Sequence, residues 1–330
     1  MKKSYFLMAA AAAMFAACSE TELVNAVNET EAQKTISFEN FVGKATRAEY
    51  TEKEDVRTGG FRVWGYYGAS DAFTTPETAV YGDAGTAVTW SGTEWQTADL
   101  RYWNSAKFYK FYAVAPSTGT YTMTDNENGY VKIENVASAK ASESVDYLVT
   151  RGSTVYKGST KPVVPLDFHH TMAKVTVAVK RTTASNITVK AITMTGWDNA
   201  TGVFTQASAV KPTTLNTTEW TLGTKVDGTA KFLETTDAAI SLTTNDAVEA
   251  ATKWIFVPQQ LAAGALTFEL TYAIDGTEYT KTGAIADAHV WGTDSHTTYT
   301  ISIGEPLIQF SVNSVCSWCV DATGDTTITH

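Results

Sequence analysis

The chain has 330 residues, 44% of them hydrophobic and 12% aromatic, enough apolar material for packed cores and too much for wholesale disorder. That length exceeds one ordinary domain and suits two of roughly 150 residues. Acidic side chains outnumber basic ones 35 to 25, a net charge of −10, which leaves no basic footprint for a nucleic acid. Abundant threonine, valine and aromatic residues suit a pleated, half-buried surface and predict an all-β protein.

At the N-terminus Lys2 and Lys3 precede an apolar run over residues 5–17. The run is too short to span a bilayer, which takes about 20 residues, and has the shape of a secretory signal. It ends in Phe15-Ala16-Ala17-Cys18, which resembles a bacterial lipobox. In that reading residues 1–17 are removed and Cys18 carries the acyl chains, which together give stable anchoring. Ser19-Glu20-Thr21-Glu22 follows directly and resembles the surface-export signal of some outer-membrane lipoproteins.

Residues 19–35 are polar and read as a tether. Ile36, Phe38 and Val42 then form a short strand-like run, followed by a polar stretch at residues 44–47 and a dense aromatic one at 61–67. Asn128-Gly129 sits between two apolar runs and predicts a hairpin with a type I′ turn. Val175, Val177 and Val179 alternate with Lys174, Thr176 and Ala178, and Leu266, Phe268, Leu270 and Tyr272, like Tyr299, Ile301 and Ile303, alternate with polar residues. Asp275-Gly276 turns the second of these series into residues 279–282. Period-two patterns of this kind predict stacked antiparallel sheets. Residues 246–252 could form one or two helical turns, and no short internal repeat points to a propeller or solenoid.

Taken in order, several segments resemble the fimbrillin family, subunits of the type V pili of Bacteroides-like bacteria. They are RVWGYY (62–67), Val88-Thr89-Trp90 with Trp95, Arg101-Tyr102-Trp103, KFYKFYAVAP (107–116), DYLV (146–149), PLDFHHTMAK (165–174) and WIFVPQQL (254–261). The strand at 299–304 and a tail with Ile308, Phe310 and Trp318 complete the series. The resemblance implies two transthyretin-like Greek-key β-sandwich domains in tandem. With it, the chain divides into a signal peptide (1–17), a propeptide with a detachable strand (18–47), an N-terminal sandwich (48–172) and a C-terminal sandwich (173–330).

The resemblance also implies a route to the surface. Such subunits reach the outer membrane as lipoproteins, and an arginine-specific protease removes the leading segment. The matching site here is Arg47-Ala48. Cleavage there would release the lipid anchor together with the Ile36, Phe38 and Val42 strand. A strand from another pilin subunit would fill the opened edge. The C-terminal run Ile308, Phe310, Val312, Trp318 and Val320 shares one parity and reads either as the donor strand or as an ordinary last core strand.

Cys316 and Cys319 lie three apart, so on a straight strand they face opposite ways; they bond to each other only across a turn at Ser317-Trp318, and otherwise form an intermolecular disulfide or simply pack. His169 and His170 point to opposite faces of a strand, one packed and one exposed, and cannot chelate one ion together. Residues 125–129 suggest a calcium loop only faintly, and a hairpin turn explains them. No catalytic motif, metal site or cofactor site is visible. The sequence therefore reads as a structural or adhesion subunit at the cell surface, with its adhesion target unidentified. Two alternatives stand beside it: an anchor subunit that keeps its lipid, and a surface lipoprotein that binds glycans through Trp64, Trp90, Trp95 and Trp103.

Overall fold

A computed structural model describes residues 34–42, 56–73, 78–152, 154–304 and 308–315. Cys18, Arg47, Ala48, Cys316, Trp318, Cys319 and Val320 lie outside the described residues, as does the side chain of Val42. Among the described residues the secondary structure is twenty-six strands and one helical turn at 56–59. The all-β expectation therefore holds.

A nine-stranded sheet carries the leading strand Ser37–Val42 at one end. The path runs through Val163–His170, Leu148–Thr150, Phe108–Ala115, Phe61–Gly68 and Thr86–Trp90 to Trp95–Thr97. The centre of this sheet is nearly continuous apolar sequence, such as FYKFYAVA, because both of its faces are covered. One face packs Phe61, Val88, Phe111, Leu166 and Phe168; the other packs Trp64, Tyr112, Val114 and Val149.

Later strands form a six-stranded sheet centred on Ala173–Arg181 and Ser295–Ile303, with Ile308–Val315 at its edge. A five-stranded sheet built on Ile187–Asp198 and Thr267–Ile274 ends in the exposed strand Thr277–Ala284. Between them lies a core that includes Val177, Phe232, Phe256, Phe268, Trp291 and Tyr299. Two sheets draw strands from both halves of the chain. Tyr130–Val136 pairs with Gly202–Thr205, and Ala139–Lys140 pairs with Trp254–Phe256.

Three local expectations need correction. Residues 246–252 contain no helix, because Val248–Glu249 pairs with Ala178 and Val179 and the Ala250 N–H donates to the Val177 carbonyl. The Asn128-Gly129 hairpin is present, but its turn is a four-residue loop in which, of that pair, only Gly129 takes a positive φ (71°). Asp125 caps the loop by accepting from the Glu127 and Asn128 backbone N–H groups, which relieves the need for a type I′ turn. The sheets are mixed where all-antiparallel pairing was expected. Ser37–Val42 runs parallel to Val163–Phe168, and Ala173–Arg181 runs parallel to Ser295–Ile303. By contrast, Asp275-Gly276 has φ of 46° and 87° and closes the hairpin the sequence predicted.

Candidate assembly site

The leading strand alternates inward apolar and outward polar residues. Ile36 and Phe38 are each 6% exposed, while Glu39 is exposed. Six register pairs join Ser37–Val42 to the rail from Val163 to Phe168. On the other side residues 34–36 bond to residues 101–103. The Ile36 N–H donates to the Arg101 carbonyl at 2.8 Å, and the Trp103 N–H donates to the Lys34 carbonyl at 3.1 Å. Lys34 Nζ also donates to the Lys161 carbonyl at 2.8 Å, holding down the segment that leads into the strand. Trp95–Thr97, at the far end of the sheet path, comes back against Ser37–Val42. The leading strand thus closes the gap between the two ends of a curled sheet.

Its anchor is Phe38. The ring meets Phe111 at 5.5 Å and Phe61 at 6.1 Å, both edge to face, and Tyr81 at 6.4 Å. Such pairings add to the area buried. Burial raises the Tyr81 phenol well above its usual value.

The closing strand Ile308–Val315 pairs antiparallel with Ser295–Ile303 and is the outermost strand of its sheet among the described residues. Phe310 is buried, stacked on Phe268 at 5.9 Å, and lies over Gly283, where a Cβ would meet the ring at 2.2 Å. Ile308 and Val312 pack on the same core from partly exposed positions. In this structure the strand completes its own core.

Buried polar groups lie between the elements. Both neighbouring histidines are buried, correcting the expectation of one exposed ring, because a carboxylate waits on each face. His170 Nδ1 is 2.7 Å from Asp146, and His169 lies between Asp167 (3.5 Å) and Asp294 (4.0 Å). Arg151 and Glu219 form a bidentate pair, with 2.6 Å between Nη2 and Oε2, that nothing in the sequence pattern announced. Their separation of 68 residues hides it. Of the four tryptophans considered for sugar stacking, Trp64 and Trp103 are buried in the cores, and only Trp90 and Trp95 are partly exposed. Among the described residues no cluster of three or more histidine, cysteine or carboxylate side chains could hold a metal ion. No described helix is long and apolar enough to cross a membrane.

The architecture has relatives of known structure. A fimbrial protein from Bacteroides vulgatus aligns over 86% of this chain and 100% of its own, with 16% identity and a TM-score of 0.53, which shows the shared fold. Two proteins described as cell-adhesion proteins align more loosely. One from Bacteroides uniformis covers 86% of this chain and 99% of its own, at 17% identity and a TM-score of 0.46. One from Bacteroides ovatus covers 88% of this chain and 100% of its own, at 13% identity and a TM-score of 0.49. No curated protein matches the chain in sequence. The sequence profile of the fimbrillin-like proteins matches residues 46–318, and the chain belongs to the fimbrillin-like family.

Proposed function

We propose that the chain is a structural and adhesive subunit of a type V pilus. In this reading it is exported as a lipoprotein on Cys18 and held at the outer membrane. An arginine-specific protease cuts it after Arg47, and it joins other pilin subunits by strand exchange. Residues 48–172 and 173–330 then form the two sandwiches of the mature subunit.

One observation carries the proposal. Ser37–Val42 is an edge strand that, with Ile36 just before it, places Ile36 and Phe38 in the core, and it lies upstream of Arg47-Ala48. Its loss would uncover an apolar trough and a row of unpaired backbone groups, a surface that recruits another strand. Each large apolar side chain returned to the trough contributes roughly 1.5–3 kcal/mol. The closing strand offers a matching pattern, since Ile308-Gln309-Phe310 repeats the Ile36-Ser37-Phe38 order of apolar, polar and aromatic residues. Val312 and, beyond the described residues, Trp318 and Val320 continue the same parity as a candidate donor.

The test is limited cleavage of the unlipidated proform, residues 19–330, by an arginine-specific protease, followed by electrophoresis of unboiled samples. A new N-terminus at Ala48 with a ladder of detergent-resistant multimers is the expected result. Resistance at Arg47, with the chain remaining monomeric, would sink the processed-subunit reading in favour of an anchor that keeps its lipid.

A further inference from the structure

The sequence carries six arginines against nineteen lysines, and none of the six lies beyond Arg181. Five of them fall within the described residues, and the fold takes hold of each of those five guanidinium groups. Arg62 donates from Nη1 to the Ala84 carbonyl at 3.0 Å and from Nε to the Ser117 carbonyl at 3.4 Å. Arg181 donates to the carbonyls of Ala184, Ser185 and Thr243, which ties the end of its strand to two loops. Arg151 is locked on Glu219 and donates to the Ser208 carbonyl. Arg57 lies over the Trp90 ring, 4.3 Å from its centre. Arg101 is the exposed one of the five, and it is held twice. Its Nε donates to the Val80 carbonyl at 2.8 Å, and its own carbonyl, the group a protease attacks, accepts from the Ile36 N–H. Several lysines are placed otherwise. Lys190, Lys225 and Lys231 keep exposed side chains whose ion pairs are with Glu278, Asp227 and Glu234.

A protease selective for arginine takes the guanidinium into a specificity pocket while it attacks the carbonyl of the same residue. The guanidinium brings five N–H donors in a rigid fork, so one already bonded to the fold must be stripped before it can enter. We infer that the fold guards its own arginines: capture of these five guanidinium groups makes the folded body resistant to arginine-directed proteases, although its exposed loops stay open to them. This protection does not depend on whether the chain is cut after Arg47. Where that cut occurs, capture confines the protease to it.

The experiment puts new arginines into exposed loops of the proform, residues 19–330. Thr213 and Ala238 are both exposed and lie outside the strands. Thr213→Arg and Ala238→Arg, each first matched to the unchanged chain by its urea midpoint, are digested in native buffer with an arginine-specific protease. Mass spectrometry of timed samples gives a cutting rate for each bond. The expected result is cutting after at least one introduced arginine, with the bonds after Arg57, Arg62, Arg101, Arg151 and Arg181 cut about 10- to 100-fold more slowly in the same digest. That is the factor that one or two tenfold steps of lost hydrogen bonding to a charged group correspond to. Survival of both introduced bonds would overturn the inference, because the folded backbone and not guanidinium capture would then exclude the protease. Cutting at any of the five native bonds as fast as at an introduced one would overturn it too. Cutting after Arg47 is read in the same digest and bears only on the processing reading.

Discussion

The Phe38 ring stands edge-on to Phe111, ring centres 5.5 Å apart and planes at 79°, so a side chain of the leading strand belongs to the packing of a central strand. Replacing Phe38 with Ala in the proform should lower unfolding stability by about 3–5 kcal/mol. Urea unfolding followed by Trp fluorescence measures this, since Trp95 packs on Phe61 beside Phe38. A change under about 1 kcal/mol would mean that the site collapses readily and that Phe38 anchors nothing.

Gly129 answers two demands at once. Its φ is 71°, and a Cβ there would meet the Tyr112 ring at 1.9 Å, too close for any side chain. Gly129→Ala should therefore cost more than the roughly 1 kcal/mol of an ordinary strained glycine site, about 2–4 kcal/mol in all. A thermal melt of the variant beside Gly276→Ala separates the two demands. At Gly276 the φ is also positive (87°), but nothing lies within 4 Å of the added carbon.

The Arg151–Glu219 pair is sealed from solvent, with both side chains under 5% exposed. Arg151 also donates to the Ser208 carbonyl, and Glu219 accepts from the Ala207 N–H, so the pair pins the loop after Gly202–Thr205. Removing one partner leaves a buried charge uncompensated, and Glu219→Gln should destabilise by about 3–5 kcal/mol. A double-mutant cycle with Arg151→Met tests the coupling. Additive effects would show that the two side chains act independently.

His289 makes stability sensitive to mild acid. Its Nε2 lies 2.6 Å from the Tyr299 hydroxyl, which in turn accepts from Trp291 Nε1 at 2.8 Å, and its Nδ1 lies 3.2 Å from the Asp287 carbonyl. One neutral tautomer satisfies all of these, with Nδ1–H donating to the carbonyl and Nε2 accepting from the hydroxyl. Burial lowers the His289 pKa below the ordinary 6.5. A depressed histidine contributes stability that is complete above 6.5 and is lost as the pH falls through the lower value of the folded state. Urea midpoints between pH 8 and pH 5 should fall, and His289→Gln should flatten that part of the slope. An unchanged slope would assign the acid sensitivity to other groups.

Much of the framework could be read from residue patterns, because alternation along strands and glycine at turns are local signals. The hairpin at Asp275-Gly276 and the series Tyr299, Ile301 and Ile303 are examples. Pairing partners are set by distant chain. Nothing within residues 36–42 says that they run parallel to Val163–Phe168, or that residues 101–103 bond to their other side. The same holds for the buried histidines, since Asp146 and Asp294 approach them only through the fold. Val248–Glu249 carries a short helix-compatible composition, and the neighbouring strand overrides it.

The direction of the leading strand's bonds has a mechanical consequence. A strand joined along six register pairs and pulled along its own axis loads all those bonds in shear, so they fail only together. Peeled from one end, the same bonds open one after another, and each fails alone. The strand's seat is therefore firm against tension along the strand and weak against a pull across it.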